Sequence, residues 1–126
     1  IDGELIVSGH FDFESGRLAA RHLFDQAEPP SAIIASNDDM AAGVLFEARE
    51  RNISVPEDVS VVGFDDVPLA EFSIPSLTTI RQPHLEIGIQ AVRLLLQLIQ
   101  NPKETPESVY LKGDLIIRES AHRFQN

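Results

Sequence analysis

Short runs of apolar and β-branched residues alternate with helical patterns along most of this 126-residue chain. Few folds admit that rhythm. Leu5-Ile6-Val7-Ser8 has the composition of a strand and is followed by Gly9. Residues from Glu14 to Glu28 then carry Gly16, Ala20, Leu23, Phe24 and Ala27 on one helical face, until Pro29-Pro30 forbids continuation. Ala32-Ile33-Ile34-Ala35 predicts a second strand. The helix after it presents Ala41, Val44, Leu45 and Ala48 at i, i+3, i+4, i+7 spacing. Asn37 or Asp38 can cap that helix, and Asn52 suits the left-handed position that ends it. Val59 to Phe64 is continuously apolar apart from Ser60 and Gly63, as expected of a strand buried on both faces of a parallel sheet. Strand, helix, strand, helix, strand predicts the α/β class: an open parallel sheet flanked by helices.

The rhythm changes after Phe64. Pro68 to Ser76 predicts a loop with at most one helical turn, and Leu77 to Arg81 a short strand. Pro83 suits the first position of a long helix closed by Asn101-Pro102. That helix carries two apolar stripes, one through Leu85, Ile89, Val92 and Leu96 and one through Ile87, Ala91, Leu94 and Leu98. It therefore needs two neighbours. Val109 to Leu111 and Leu115 to Ile117 predict two further strand segments, broken at Gly113-Asp114.

Charge excludes one function class for this stretch. Ten basic against twenty acidic residues give a formal net charge of −10, and such a surface repels phosphate backbones. The chain has no cysteine, which removes disulfides and thiolate metal sites and suits a cytoplasmic protein. Its first residues form no signal-peptide pattern, and no apolar run reaches membrane-spanning length. Met40 is the sole methionine, so Ile1 is not expected to be a translation start and the chain is expected to be a piece of a longer protein.

In an open parallel sheet, ligands bind beyond the carboxyl ends of the strands. Those ends read Ser8-Gly9-His10, Ser36-Asn37-Asp38-Asp39 and Phe64-Asp65-Asp66. Amides and carboxylates there, with Phe11, Phe13 and Phe64 nearby, suit a neutral polyol or sugar. Structural roles compete with this reading: Asn37 as a cap, Asp38 and Asp39 as first-turn acids, Asp65 and Asp66 as turn residues. Arg17 and Arg21 are most simply solvated. No glycine-rich phosphate loop, nucleophile elbow or histidine pair with metal-ligand spacing occurs. Acid pairs at strand ends do occur in magnesium-dependent phosphoryl-transfer sites, but adjacent carboxylates tend to point apart and no nucleophile motif accompanies these.

The motifs together resemble one family. Ser36-Asn37-Asp38-Asp39-Met40-Ala41-Ala42-Gly43 is similar to its strand-end signature, and Val55 to Asp66 follows at the expected distance. Ile74-Pro75-Ser76-Leu77-Thr78-Thr79-Ile80-Arg81-Gln82-Pro83 and Leu115-Ile116-Ile117-Arg118-Glu119-Ser120 complete the set. These resemble the LacI/GalR transcription regulators. The resemblance implies the carboxy-terminal lobe of a two-lobed periplasmic-binding-protein-like fold. Residues 1–82 and 115–126 would form that lobe, and 83–112 a helix and strand that pack on the other lobe. It implies a small sugar-like effector held by Asn37 and Asp65, with Gln82 and His84 lining the cleft and Phe13 and Ser15 in a variable contact segment. It further implies a homodimer through Met40, Val44 and Glu47 with Phe72, Ile74 and Pro75. Operator DNA would be bound through an amino-terminal helix-turn-helix outside this chain. No catalysis, cofactor, metal or membrane is implied. The alternative is a periplasmic sugar-binding protein of a transport system, which shares the fold.

Overall fold

The computed structural model describes residues 3–103 and 105–122. Asp12, at extended φ and ψ, accepts a hydrogen bond from the Ser15 amide and starts α1, Phe13–Phe24. β1, Ala32–Ile34, leads into α2, Asp38–Glu50. Asn52, at φ 58°, takes the left-handed conformation expected after α2. β2, Ser60–Val62, follows, then the single turn α3, Pro68–Phe72, and β3, Thr79–Arg81. α4, His84–Gln100, begins one residue beyond Pro83, and β4 spans Asp114–Ile116. β1 and β2 pair in parallel with Ile33 opposite Val61, and β3 pairs with β4. Parallel bridges between Val62 and Thr78 and between Asp65 and Arg81 connect the β2 side to β3. The α/β class predicted from the alternation, with parallel strands flanked by helices, is the class observed.

The core lies where α1 and α2 cover the sheet. Ala20, Ala41, Ala48, Val61, Ala70 and Leu77 are wholly buried there. α1 and α2 touch backbone to backbone. A methyl group on Gly16 would run into the main chain of Met40, and one on Gly43 into the Phe13 carbonyl and Arg17 amide. Glycine at these two positions is what lets the helices approach.

The segment 118–120 stitches β2 to the residues just before β3. The Ser120 hydroxyl donates to the Val61 carbonyl (2.6 Å) and accepts from the Thr78 amide (2.8 Å). The Ser120 carbonyl accepts from the Val61 amide at 2.7 Å. Ser76 donates to Glu119 from its amide (3.0 Å) and its hydroxyl (2.9 Å).

Two sequence-based expectations need correction. Leu5–Ser8 is not a strand: Gly3–Leu5 forms a 3₁₀ turn, and β1 is paired with β2 alone among the described residues. Leu5 and Val7 pack on the core through side chains, keeping a strand's alternation without its ladder. A cavity of about 440 Å³, lined by Leu5, Val7, Leu23, Ile33 and Met40 among others, lies there. Val109–Leu111 likewise forms no strand; Val109 and Leu111 instead line, with Ile87, Ala91 and Leu94, a groove of about 310 Å³.

The chain divides into two compact units, one comprising the chain up to Arg81 and from Leu115, the other Gln82–Asp114. Within the second unit no residue of α4 is buried, and Leu85 is 80% exposed.

Candidate functional site

Residues at the carboxyl ends of β1 and β2 carry a dense set of polar contacts within the chain. At the end of β1, the Asn37 Oδ1 accepts the Met40 amide at 2.9 Å and caps α2. Its Nδ2 donates to the Phe11 carbonyl at 3.0 Å, fixing a loop in which Phe11 has φ 60°. Asn37 thus orients the aromatic loop and remains half-buried. Asp38 is the first-turn acid of α2 that the sequence predicts, and it is also buried. It is 1% exposed, and its carboxylate accepts the Thr79 hydroxyl at 2.5 Å and the Val67 amide at 2.9 Å. Gly63 leaves the room: a methyl there would collide with the Asp38 carboxylate and Leu77.

At the end of β2 the chain turns sharply. Asp65 has φ 117° and Asp66 φ 58°, both in the left-handed half of the map that non-glycine residues avoid. The Asp65 amide donates to the Ile80 carbonyl at 2.9 Å, and the residue as a whole is half-buried. Asp66 accepts Arg81 Nε at 2.6 Å and Arg118 Nη2 at 2.7 Å. Burial works against its charge, but the hydrogen bonds from Arg118 and Arg81 outweigh it and hold its pKa below the usual carboxylate range.

Ser15 is buried, its hydroxyl donating to the Asp12 carbonyl (3.0 Å) and accepting the His10 amide (3.0 Å). Phe13 stays 40% exposed and meets Phe46 edge-on, with ring centroids 5.6 Å apart. Asn37, Asp65, Phe13 and Ser15 therefore belong to the first unit. Gln82 and His84 belong to the second, where the His84 amide donates to the Gln82 carbonyl at 2.9 Å. The larger cavity lies beside β1 and α1 and is lined mostly by apolar side chains, without convergent hydrogen-bonding groups. No group of three histidine or acidic side chains among the described residues could hold a metal ion.

The surface expected of Met40, Val44 and Glu47 is corrected by the structure. All three are buried within the chain, at 6%, 2% and 3% exposure, because the α1–α2 crossing covers that side of α2. Phe72 and Ile74, by contrast, are 76% and 87% exposed, and Pro75 is half-buried. Arg17 and Arg21 are not simply solvated. Arg21 Nε and Arg17 Nε donate to Glu47 at 3.2 Å each, and Arg51 Nε at 2.9 Å. Hydrogen bonds from Arg21 and then Arg51 lower the Glu47 pKa from 4.5 to about 2 despite its burial. A depressed carboxylate stabilises the fold fully above its unfolded pKa and loses that contribution as pH falls through the folded one. The stability gap between the native chain and Glu47→Gln should therefore be widest above pH 4.5 and close by about pH 2. Chemical denaturation across that range checks it, and a gap independent of pH would refute it.

The arginine partners Arg81 and Arg118 and the buried Asp38 were not evident as site-building residues. Their partners lie 15 to 52 residues away, beyond any local pattern.

Comparison with known proteins follows this geometry. Residues 4–121 match the family described as a periplasmic binding protein-like domain. The HTH-type transcriptional repressor CytR of Escherichia coli (strain K12) is 42% identical over 120 residues, covering 95% of this chain and 35% of that protein. A solved regulatory protein of the LacI family from Chloroflexus aggregans superposes with a TM-score of 0.81 at 35% identity, covering 97% of this chain and 44% of that one. A transcriptional regulator CelR–cellobiose complex superposes with a TM-score of 0.85 at 37% identity, covering 96% of this chain and 37% of that one. The chain thus spans about a third of the length of the curated relatives it matches, 35% for CytR.

Proposed function

Because this chain belongs to the periplasmic-binding-protein-like domain family, in the form carried by LacI/GalR-type regulators, we propose that it is the ligand-sensing portion of a bacterial transcriptional regulator. The observation that carries this reading is the placement of Asn37 and Asp65 beyond the carboxyl ends of the adjacent parallel strands β1 and β2. That is where open α/β sheets bind small molecules. An ionised Asp65 accepts hydrogen bonds without donating any, which suits neighbouring hydroxyls of a sugar. Asn37 supports the Phe11 loop beside it, and Phe13 offers an aromatic face. Ser15 acts through the 10–12 loop that its hydroxyl braces. The cellobiose complex of the similar regulator supports a carbohydrate effector. The similar proteins are regulators, which favours this reading over delivery of a sugar to a membrane permease, and over catalysis. Operator DNA would be gripped by a segment outside this acidic chain, in the cytoplasm. No helix among the described residues is long and apolar enough to cross a membrane.

Assembly belongs to the same proposal. A homodimer would bury the exposed Phe72 and Ile74 about a twofold axis. A panel of pentoses, hexoses, disaccharides and nucleosides, titrated against the full-length protein, tests the whole reading. A true effector at a hundred times its Kd adds about 2.7 kcal/mol of stability. A panel that leaves the melting temperature untouched would sink the sensor reading. A strict monomer in sedimentation equilibrium at high concentration would sink the dimer.

A further inference from the structure

Two consecutive non-glycine residues at positive φ, Asp65 (117°) and Asp66 (58°), form an arrangement that persists only where the surroundings over-determine it. The surroundings here are two guanidinium groups. Asp66 has a side chain 5% exposed and gives one carboxylate oxygen to Arg81 and the other to Arg118. Arg118 is held in turn, its Nη1 donating to the Leu77 carbonyl at 2.8 Å and its amide to the Thr78 hydroxyl at 2.9 Å. The two oxygens of Asp66 are thus committed to the protein. The two arginines occupy telling places in the chain. Arg81 is the last residue before the chain leaves the first unit, and Arg118 follows its return at Leu115. One buried carboxylate is gripped by a cation from each junction.

We propose that Asp66, clasped by Arg81 and Arg118, is a positioning residue: it sets the backbone of Asp65 and ties that strand end to both chain junctions. This rests on the reading that Asp65 meets the effector. Occupancy at Asp65 and the placement of the junctions then belong to one equilibrium, which is how a sensor converts binding into response. The two halves of the clasp are unequal. The Arg81 side chain is 55% exposed, so water screens it, whereas the Arg118 side chain is 17% exposed. The larger effect therefore belongs to Arg118.

Hydrogen exchange on the full-length protein without ligand tests the clasp directly, using Asp66→Asn, Arg118→Met and Arg118→Lys. Amides of residues 63–67, including the Asp65 amide bound to Ile80, should exchange at least about tenfold faster in Asp66→Asn and Arg118→Met. The Ala35 amide, bound to the Val62 carbonyl at 2.8 Å between β1 and β2, should keep its rate. Arg118→Lys should recover part of the protection, since it restores charge but not the forked geometry. Unchanged rates at 63–67 overturn the proposal. So does an acceleration spread evenly over the molecule, which would make Asp66 a general support of the fold. A parallel arm adds D-ribose or cellobiose to the native protein. Failure of both sugars to slow exchange at 63–67 counts against a carbohydrate at Asp65, while the ligand-free rates still decide the clasp.

Discussion

Asp65→Asn in the full-length protein is expected to weaken effector binding by about tenfold to a hundredfold. A hydrogen bond to a charged group contributes about 1.5–3 kcal/mol, and each 1.4 kcal/mol is about a factor of ten in Kd. The substitution keeps the side chain's shape and its tolerance of positive φ, so the backbone at 117° is not asked to change. Asp65→Ala would confound loss of the carboxylate with strain, and Asp65→Gly would relieve the strain while removing the same acceptor. Calorimetric titration of all three variants separates the two effects. If the carboxylate binds the effector, Asp65→Asn and Asp65→Gly lose affinity together. If only the backbone matters, Asp65→Gly binds like the native protein. Asp39→Asn, at an exposed acid on the first turn of α2, is the matched control and should bind nearly as the native protein does. Equal affinities in Asp65→Asn and the native protein would return Asp65 to the status of a turn residue.

Gly43→Ala is expected to destabilise the chain by about 2 kcal/mol or more, although alanine is the better helix former. In an exposed helix interior that change gains about 1 kcal/mol. Here the new methyl would enter the Phe13 carbonyl and the Arg17 amide, backbone atoms that cannot rotate away. Forcing packed helices apart costs about 1–3 kcal/mol, occasionally more, and the crossing is shared with Gly16. Gly88→Ala supplies the opposite sign. Nothing lies within 4 Å of the methyl it would add on α4, so propensity alone acts and the chain should gain up to about 1 kcal/mol. Thermal melts of the two variants measure both shifts. A Gly43→Ala chain as stable as the native one would mean that α1 and α2 do not meet as closely as described.

What was legible in the sequence follows from how far each pattern reaches. Asn37 and Asn52 announce the start and end of α2 because capping chemistry is local. The β1–β2 pairing follows from continuous apolar runs separated by a helix. Leu5–Ser8 misled because an apolar, β-branched composition reports which side chains can be buried, not whether a neighbouring strand is there to complete the ladder. Met40, Val44 and Glu47 misled for a related reason. Helical periodicity places residues on one face, but whether that face meets α1 or a second chain depends on the glycine pair that draws the helices together. The candidate site was legible at its strand ends. Its supports, Arg81 and Arg118 around Asp66, come from segments 15 and 52 residues distant and leave no periodic trace.

The stitching of Ser120 to Val61 and Thr78 bears on how the polypeptide can be made. A ribosome delivers residues in order, and the first unit draws on stretches that come both before and after the second. While the nascent chain ends anywhere short of Ser120, the Val61 and Thr78 amides lack their intended acceptors, and the Asp66 carboxylate lacks Arg118 once the chain stops short of it. Pairings of such long sequence separation are slow to form and leave partly folded intermediates exposed. Vectorial synthesis therefore makes the α1–α2 layer available early and withholds the Ser120 stitch until the second unit has emerged.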